Sequence, residues 1–189
     1  MEEISFIKEY CSTSSGVIAS INNQSKLLAS IVSELADCVK NGGRIYACGN
    51  GGSACDAMHL TEELIARYLR ERPGIAAHHL NDPSAITCWA NDYEFDSVFE
   101  RQVQTLVTKK DFLFCFSTSG NSKNVVLAAQ AAKKIGAKTV AMTGKDGGVL
   151  KETSTFPIVI ESEITSHIQE AHITIVHILC DLLEQKLFF

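Results

Sequence analysis

The stretch Arg44-Ile45-Tyr46-Ala47-Cys48-Gly49-Asn50-Gly51-Gly52-Ser53-Ala54-Cys55-Asp56-Ala57-Met58-His59-Leu60 decides the fold. A short apolar run of strand length passes through a glycine-rich loop into a segment whose apolar residues return at helical spacing, continuing through Leu64 and Tyr68. The same alternation follows downstream. Ala76–Leu80, Phe112–Phe116, Thr139–Met142 and Phe156–Ile160 are further strand candidates, and the segments near 54–69, 84–107, 122–135 and 165–187 read as helices. Strands that alternate with helices call for a parallel sheet covered on both faces. The expectation is an α/β fold with a five-stranded parallel sheet flanked by helices.

Upstream of this unit, Leu27, Leu28, Ile31, Val32, Leu35 and Val39 recur at helical spacing, and Asn41-Gly42-Gly43 ends the run. The stretch Ser12-Thr13-Ser14-Ser15-Gly16 is expected to divide this region into two helices. No repeat, low-complexity tract or linker interrupts the chain, so residues 1–189 read as one domain. It comprises an N-terminal helical segment (1–41) and an α/β core (42–189) closed by a buried C-terminal helix. In that last helix Ile168, Ile173, Ile175, Val176, Ile178, Leu179, Leu182 and Leu183 surround the axis, which points to burial on most sides and to subunit packing.

Composition narrows the class. An apolar fraction of 46% with 21% charged residues supports a packed core rather than disorder. The net charge of −5, without a long Lys/Arg run, argues against a nucleic-acid surface. MEEISFIKEY opens with acids and lacks the basic-then-apolar pattern of a signal peptide, and no window approaches about 20 uninterrupted apolar residues. The seven cysteines form no C-x-x-C pair. They are expected to be free and reduced, which fits a cytoplasmic protein.

Two loops carry the chemistry. Asn50-Gly51-Gly52-Ser53 lies between strand and helix, where glycines admit close backbone approach and a helix N-terminus offers unpaired N–H groups to an anion. A plain βα turn with Ser53 as N-cap is the competing reading. Gly49-x-Gly51-x-x-Ala54 also matches a dinucleotide fingerprint, but the first acid after the second strand is Asp82, 33 positions beyond Gly49. The fingerprint expects one after about 20. The second loop, Ser117-Thr118-Ser119-Gly120-Asn121-Ser122, offers four hydroxyls at a helix start, more than a simple turn needs, and reads as a phosphate cradle. Asn91-Asp92 is a third, shorter polar loop.

Two helices add titratable groups. Asp56, His59, Glu63 and Arg67 follow one another at i, i+3, i+7 and i+11, along one polar stripe if the helix continues that far. In the C-terminal helix Gln169 and His177, eight apart, share a face. A solvated stripe and a core histidine are the alternatives at this point.

The segments CGNGGSACDAMHLTEEL (48–64), FSTSGNS (116–122), TGKDGG (143–148) and HIQEAHITIVHIL (167–179) resemble the phosphoheptose isomerases in order and spacing. The resemblance runs from about Gly42 to Leu183. Trp89-Ala90 and the His78-His79 pair depart from the family's usual residues, whereas every motif residue is kept. It implies a SIS-type (sugar isomerase) fold. The implied activity is aldose–ketose isomerisation of sedoheptulose 7-phosphate to D-glycero-D-manno-heptose 7-phosphate, the first step toward ADP- or GDP-heptose for lipopolysaccharide or capsule. It implies a cytoplasmic homotetramer with active sites at subunit interfaces, and one zinc ion per subunit. Residue by residue, it assigns Asn50, Gly51, Gly52, Ser53, Asn91, Asp92, Ser117, Thr118, Ser119 and Ser122 to substrate. Glu63 and Gln169 also face substrate. His59, Glu63, Gln169 and His177 would hold zinc, with Glu63 and His177 as the acid–base pair. The alternatives are a non-catalytic SIS module that senses sugar phosphates or binds a replication initiator, and, more remotely, a dinucleotide-dependent oxidoreductase.

Overall fold

The computed structural model describes residues 2–189. In chain order the elements are α1 (Glu2–Ala19), a 3-10 turn (Ser20–Gln24), α2 (Ser25–Lys40), β1 (Ile45–Gly49), α3 (Gly52–Ile65), β2 (Ala77–His79) and α4 (Pro83–Asp92). A second 3-10 turn (Phe95–Ser97) leads into α5 (Val98–Leu106), then β3 (Phe112–Ser117), α6 (Lys123–Ile135), β4 (Lys138–Gly144), α7 (Gly148–Thr153), β5 (Phe156–Ile160) and α8 (Thr165–Phe188).

The five strands form one parallel sheet in the order β2-β1-β3-β4-β5. Its middle strand, Phe112–Ser117, is buried along its whole length because both of its faces are covered. Period-two alternation divides its residues: Phe112, Phe114 and Phe116 enter the layer with α2, α3 and α8, while Leu113 and Cys115 enter the layer with α5 and α6. The bulky residues are therefore in register with each other on one face. On the other face Cys115 is paired with Cys48 of β1 in the ladder, both fully buried. All seven cysteines are free.

The expected strands are all present, and the helices differ in instructive ways. The break expected at Ser12–Gly16 is absent. Ser15 donates to the Cys11 carbonyl at 2.7 Å and Ser14 donates to Glu170, so these hydroxyls are satisfied without leaving the helix. The interruption falls instead at Ser20–Gln24. The single helix expected over 84–107 is two, turning at Tyr93–Ser97, where Trp89 Nε1 donates to Ser97 Oγ at 2.8 Å and the indole stacks on Tyr93. The helix expected to reach residue 69 stops at Ile65.

The apolar circumference of α8, read from sequence as subunit packing, is largely occupied within the chain. Ile168, Ile175, Val176, Leu179 and Leu183 are buried in the layer shared with α2 and α3, while Leu182 stays exposed. No helix among the described residues is long and apolar enough to cross a membrane.

Candidate active site

The strand order reverses direction between β1 and β3, and open α/β sheets bind ligands at the carboxyl ends of strands flanking such a switch. Both donor-rich loops lie there. Asn50 and Asn124, the latter buried in the first turn of α6, join them through reciprocal amide bonds of 2.9 Å. Asn124 escaped the sequence reading, since one amide in a helix carries no local signal.

In the first loop α3 starts at Gly52 with Gly51 at the N-cap, so the expected cap, Ser53, is inside the helix and buried. No side chain bonds the cap; Ser53 and Ala54 N–H donate to the Asn50 and Gly51 carbonyls, both at 3.0 Å, which leaves the Gly52 N–H at the helix start for a ligand. A Cβ on Gly52 would stand 2.5 Å from Gln169 Nε2, so glycine here lets α8 bring that amide against the loop.

The second loop gathers Ser117, Ser119 and Ser122. Ser117 Oγ donates to Ser122 Oγ at 2.9 Å and lies 3.5 Å from Ser119 Oγ. Ser122 is the N-cap of α6 yet makes no capping bond, which leaves its hydroxyl proton and that of Ser119 for a ligand, while Ser117 is buried and gives its own to Ser122. Thr118 gives its carbonyl to Gly144 N–H at 3.1 Å. Gly120 has φ +65°, and a Cβ there would meet the Gly147 carbonyl at 1.9 Å. The TGKDGG segment thus buttresses the serine loop. Asn121, another residue not singled out, bridges them by bonding the Ser119 carbonyl and the Val149 N–H, both at 3.0 Å.

The titratable cluster joins α3 to α8. His59 Nε2 lies 3.2 Å from Glu63 Oε1 and 3.3 Å from His177 Nε2, and the three ligand atoms fall within 4.8 Å of one another. Two groups held about 2.0–2.1 Å from a tetrahedral zinc stand roughly 3.3 Å apart, so this donor set fits such an ion. Gln169 is on the same helix but two turns away, about 12 Å along the axis from His177, with its amide at Gly52. Tyr68 stacks on His177 with ring centroids 5.5 Å apart.

Other expected residues fare differently. Arg67 lies beyond the end of α3 and pairs with Glu71, so the polar stripe stops at Glu63. Asn91 and Asp92 form the last turn of α4 rather than a loop; both are exposed, Asn91 donating to Asp92 at 2.9 Å and Cys88 approaching Asp92. Asp82 caps α4 by accepting from Ala85 N–H at 2.8 Å, which gives it a structural role at the helix start. Asp56 is buried with Oδ2 unpartnered, and burial pushes its carboxyl up to about 6 against the opposing charge of His59. An open groove of about 410 Å³ borders His59, lined by Cys55, Met58, Ile65 and His79. A cleft of about 390 Å³ near Cys38 and Lys138 lies at the amino ends of the strands, away from these groups.

Fold and site together define a sugar-phosphate-handling α/β domain, and residues 9–144 match the SIS domain family. A phosphoheptose isomerase from Glaesserella parasuis is 49% identical over 167 residues, covering 87% of each chain. One from Helicobacter pylori is 44% identical, covering 94% of this chain and 93% of its own. The structure of a phosphoheptose isomerase from Francisella tularensis superimposes with a TM-score of 0.93 at 33% identity, covering 98% of this chain and all of that one. The chain belongs to the phosphoheptose isomerase family.

Proposed function

We propose that the chain interconverts sedoheptulose 7-phosphate and D-glycero-D-manno-heptose 7-phosphate, supplying ADP- or GDP-heptose synthesis for a surface polysaccharide. Aldose–ketose isomerisation moves one proton between adjacent carbons through a cis-enediol, while a second group manages protons on the oxygens. Glu63 carries the carbon proton. His177 opens the sugar ring and moves the oxygen protons. Ser117, Thr118, Ser119 and Ser122 hold the phosphate, and Asn50, Gly51, Gly52, Ser53 and Gln169 bind the sugar chain.

His59, Glu63 and His177 are the three converging residues that would hold a zinc ion, which when bound would polarise oxygen or order the site; Gln169, with its amide at Gly52, would complete the set only by turning from the loop toward His177. Asn91 and Asp92 are exposed in one chain, bonded to each other and approached by Cys88, which suits a site completed by a second subunit of a cytoplasmic homotetramer. The whole chain, 1–189, serves as one such domain.

The observation that carries the reading is the carboxylate of Glu63 beside His59 and His177. A module that only binds sugar phosphates needs the loops but not this base. In Glu63→Gln, turnover of sedoheptulose 7-phosphate followed by NMR should fall by about 10²–10⁴-fold. Exchange of the C1 or C2 hydrogen with deuterated water should stop, while substrate binding largely survives. Full activity in this variant would defeat the mechanism.

A further inference from the structure

The return loop after α3 is tied to α8 through one buried carboxylate. Glu184, with no exposed side-chain surface, accepts from three successive backbone N–H groups, Tyr68 at 2.8 Å, Leu69 at 3.2 Å and Arg70 at 3.0 Å. It also accepts from Arg72 Nε at 2.9 Å. The Arg72 guanidinium, equally buried, donates onward to the carbonyls of Leu64 and Glu63, each at 2.8 Å, and of Pro73 at 3.1 Å. The Phe188 ring lies over it at 5.9 Å.

These partners are not neutral filler. The carbonyls of Glu63 and Leu64 belong to the last turn of α3, whose carbonyls have no partner inside the helix. Arg72 therefore caps the very turn that presents the Glu63 side chain. Tyr68, held by its N–H on Glu184, lays its ring on His177 at 5.5 Å with 19° between the planes. Glu184 follows His177 by two helical turns on the same face of α8. Burial pushes the Glu184 carboxyl up, but the N–H groups of Tyr68, Arg70 and Leu69, with Arg72, outweigh it and hold the group below the usual carboxylate range. A buried ion pair is often matched in stability by apolar residues; a fixed distance between two helices is something apolar packing supplies less sharply.

We infer that Arg72 and Glu184 form a positioning clasp for the reaction, fixing the last turn of α3 and the Tyr68 ring against α8 and so setting the separation of Glu63 from His177. The inference rests on the reading of Glu63 and His177 as the acid–base pair. His59, Glu63 and Tyr68 are the polar groups that meet His177 in this cluster.

Two variants test the clasp. Glu184→Gln keeps volume but leaves the Arg72 charge uncompensated, and Tyr68→Leu keeps apolar packing while removing the ring from His177. In folded Glu184→Gln, kcat for sedoheptulose 7-phosphate should fall about 10- to 100-fold, the scale of a small misplacement of reacting groups. KM should stay within about twofold, because the phosphate loop is untouched. In folded Glu184→Gln, at one fixed pH, the nuclear Overhauser contact between the Tyr68 and His177 rings should weaken. Tyr68→Leu should lose kcat with little change in melting temperature, and it decides alone if Glu184→Gln does not fold. Wild-type kcat in folded Glu184→Gln, or wild-type kcat in Tyr68→Leu, would overturn the clasp. A wild-type protein without turnover would instead sink the site reading, and the Tyr68–His177 ring contact in folded Glu184→Gln would still report on the clasp.

Discussion

Two carboxylates two turns apart on α3 have different surroundings. Glu63 is half-buried beside two imidazoles, whereas Asp56 is buried with Oδ2 unpartnered. The Asp56 carboxyl titrates near 6 in the folded chain, by burial and despite His59, against about 3.9 when unfolded. Between those values the folded state holds the extra proton, so raising the pH through that window removes stability, and the loss is complete above it. Asp56→Asn abolishes this titration. The melting temperature of the variant relative to wild type should therefore climb from pH 4 to above pH 6 and then level off. A pH-independent difference by scanning calorimetry would contradict the assignment. His59 tests the metal: His59→Ala should lower the zinc content of protein purified without chelator, because one of three converging donors is lost. Equal zinc in variant and wild type would remove His59 from the ligand set.

At the scale of elements, the serine loop and the glycine turn that supports it make separate claims. Ser119→Ala and Ser122→Ala each remove a donor to a charged group remote from the reacting carbons, worth about 1.5–3 kcal/mol. KM should rise about tenfold or more with kcat little changed, and an unchanged KM in both would locate the phosphate elsewhere. Gly120→Ala should destabilise the fold by about 1–3 kcal/mol, measured by urea titration, since φ of +65° and the Gly147 carbonyl both oppose a side chain. The strands were legible because their runs are short and bounded, and β1, β3, β4 and β5 carry β-branched or aromatic residues. The ends of the helices were not. What stops α3 at Ile65 is a guanidinium seven residues on, bonded to a carboxylate on α8, and what divides α4 from α5 is an indole bonded to Ser97. Such long-range partners leave no periodic trace. The same holds for the site: the loops and the His59–Glu63 pair are local motifs, while Asn124 and Tyr68 matter only through contacts with residues far away in sequence.

At the scale of the whole molecule, α1 offers a second surface for the subunit packing that the sequence placed on α8. With the circumference of α8 largely covered by its own chain, the first two turns of α1 bring together three exposed apolar side chains, Ile4, Phe6 and Ile7 (60%, 66% and 59% exposed), of which Phe6 has the Tyr10 ring as a neighbour at 6.3 Å. Single exposed apolar residues are ordinary, but a cluster of large ones within two turns marks a contact surface. The following turns of α1 are pinned to α8, the Tyr10 hydroxyl donating to Glu170 Oε1 at 2.9 Å, next to Gln169 in sequence, and lying in hydrogen-bond contact with Ser166 Oγ at 2.8 Å. A second subunit packed on α1 would therefore bear on the helix that carries Gln169 and His177, coupling assembly to the site. Light scattering at micromolar concentration should give a tetramer, with D2 symmetry the expected closed arrangement. Phe6→Lys combined with Ile7→Lys should yield smaller species with reduced turnover, while far-ultraviolet circular dichroism stays close to wild type, because neither side chain belongs to the core. A wild-type monomer that turns over sedoheptulose 7-phosphate at full rate would remove both the tetramer and the idea that subunits share the site.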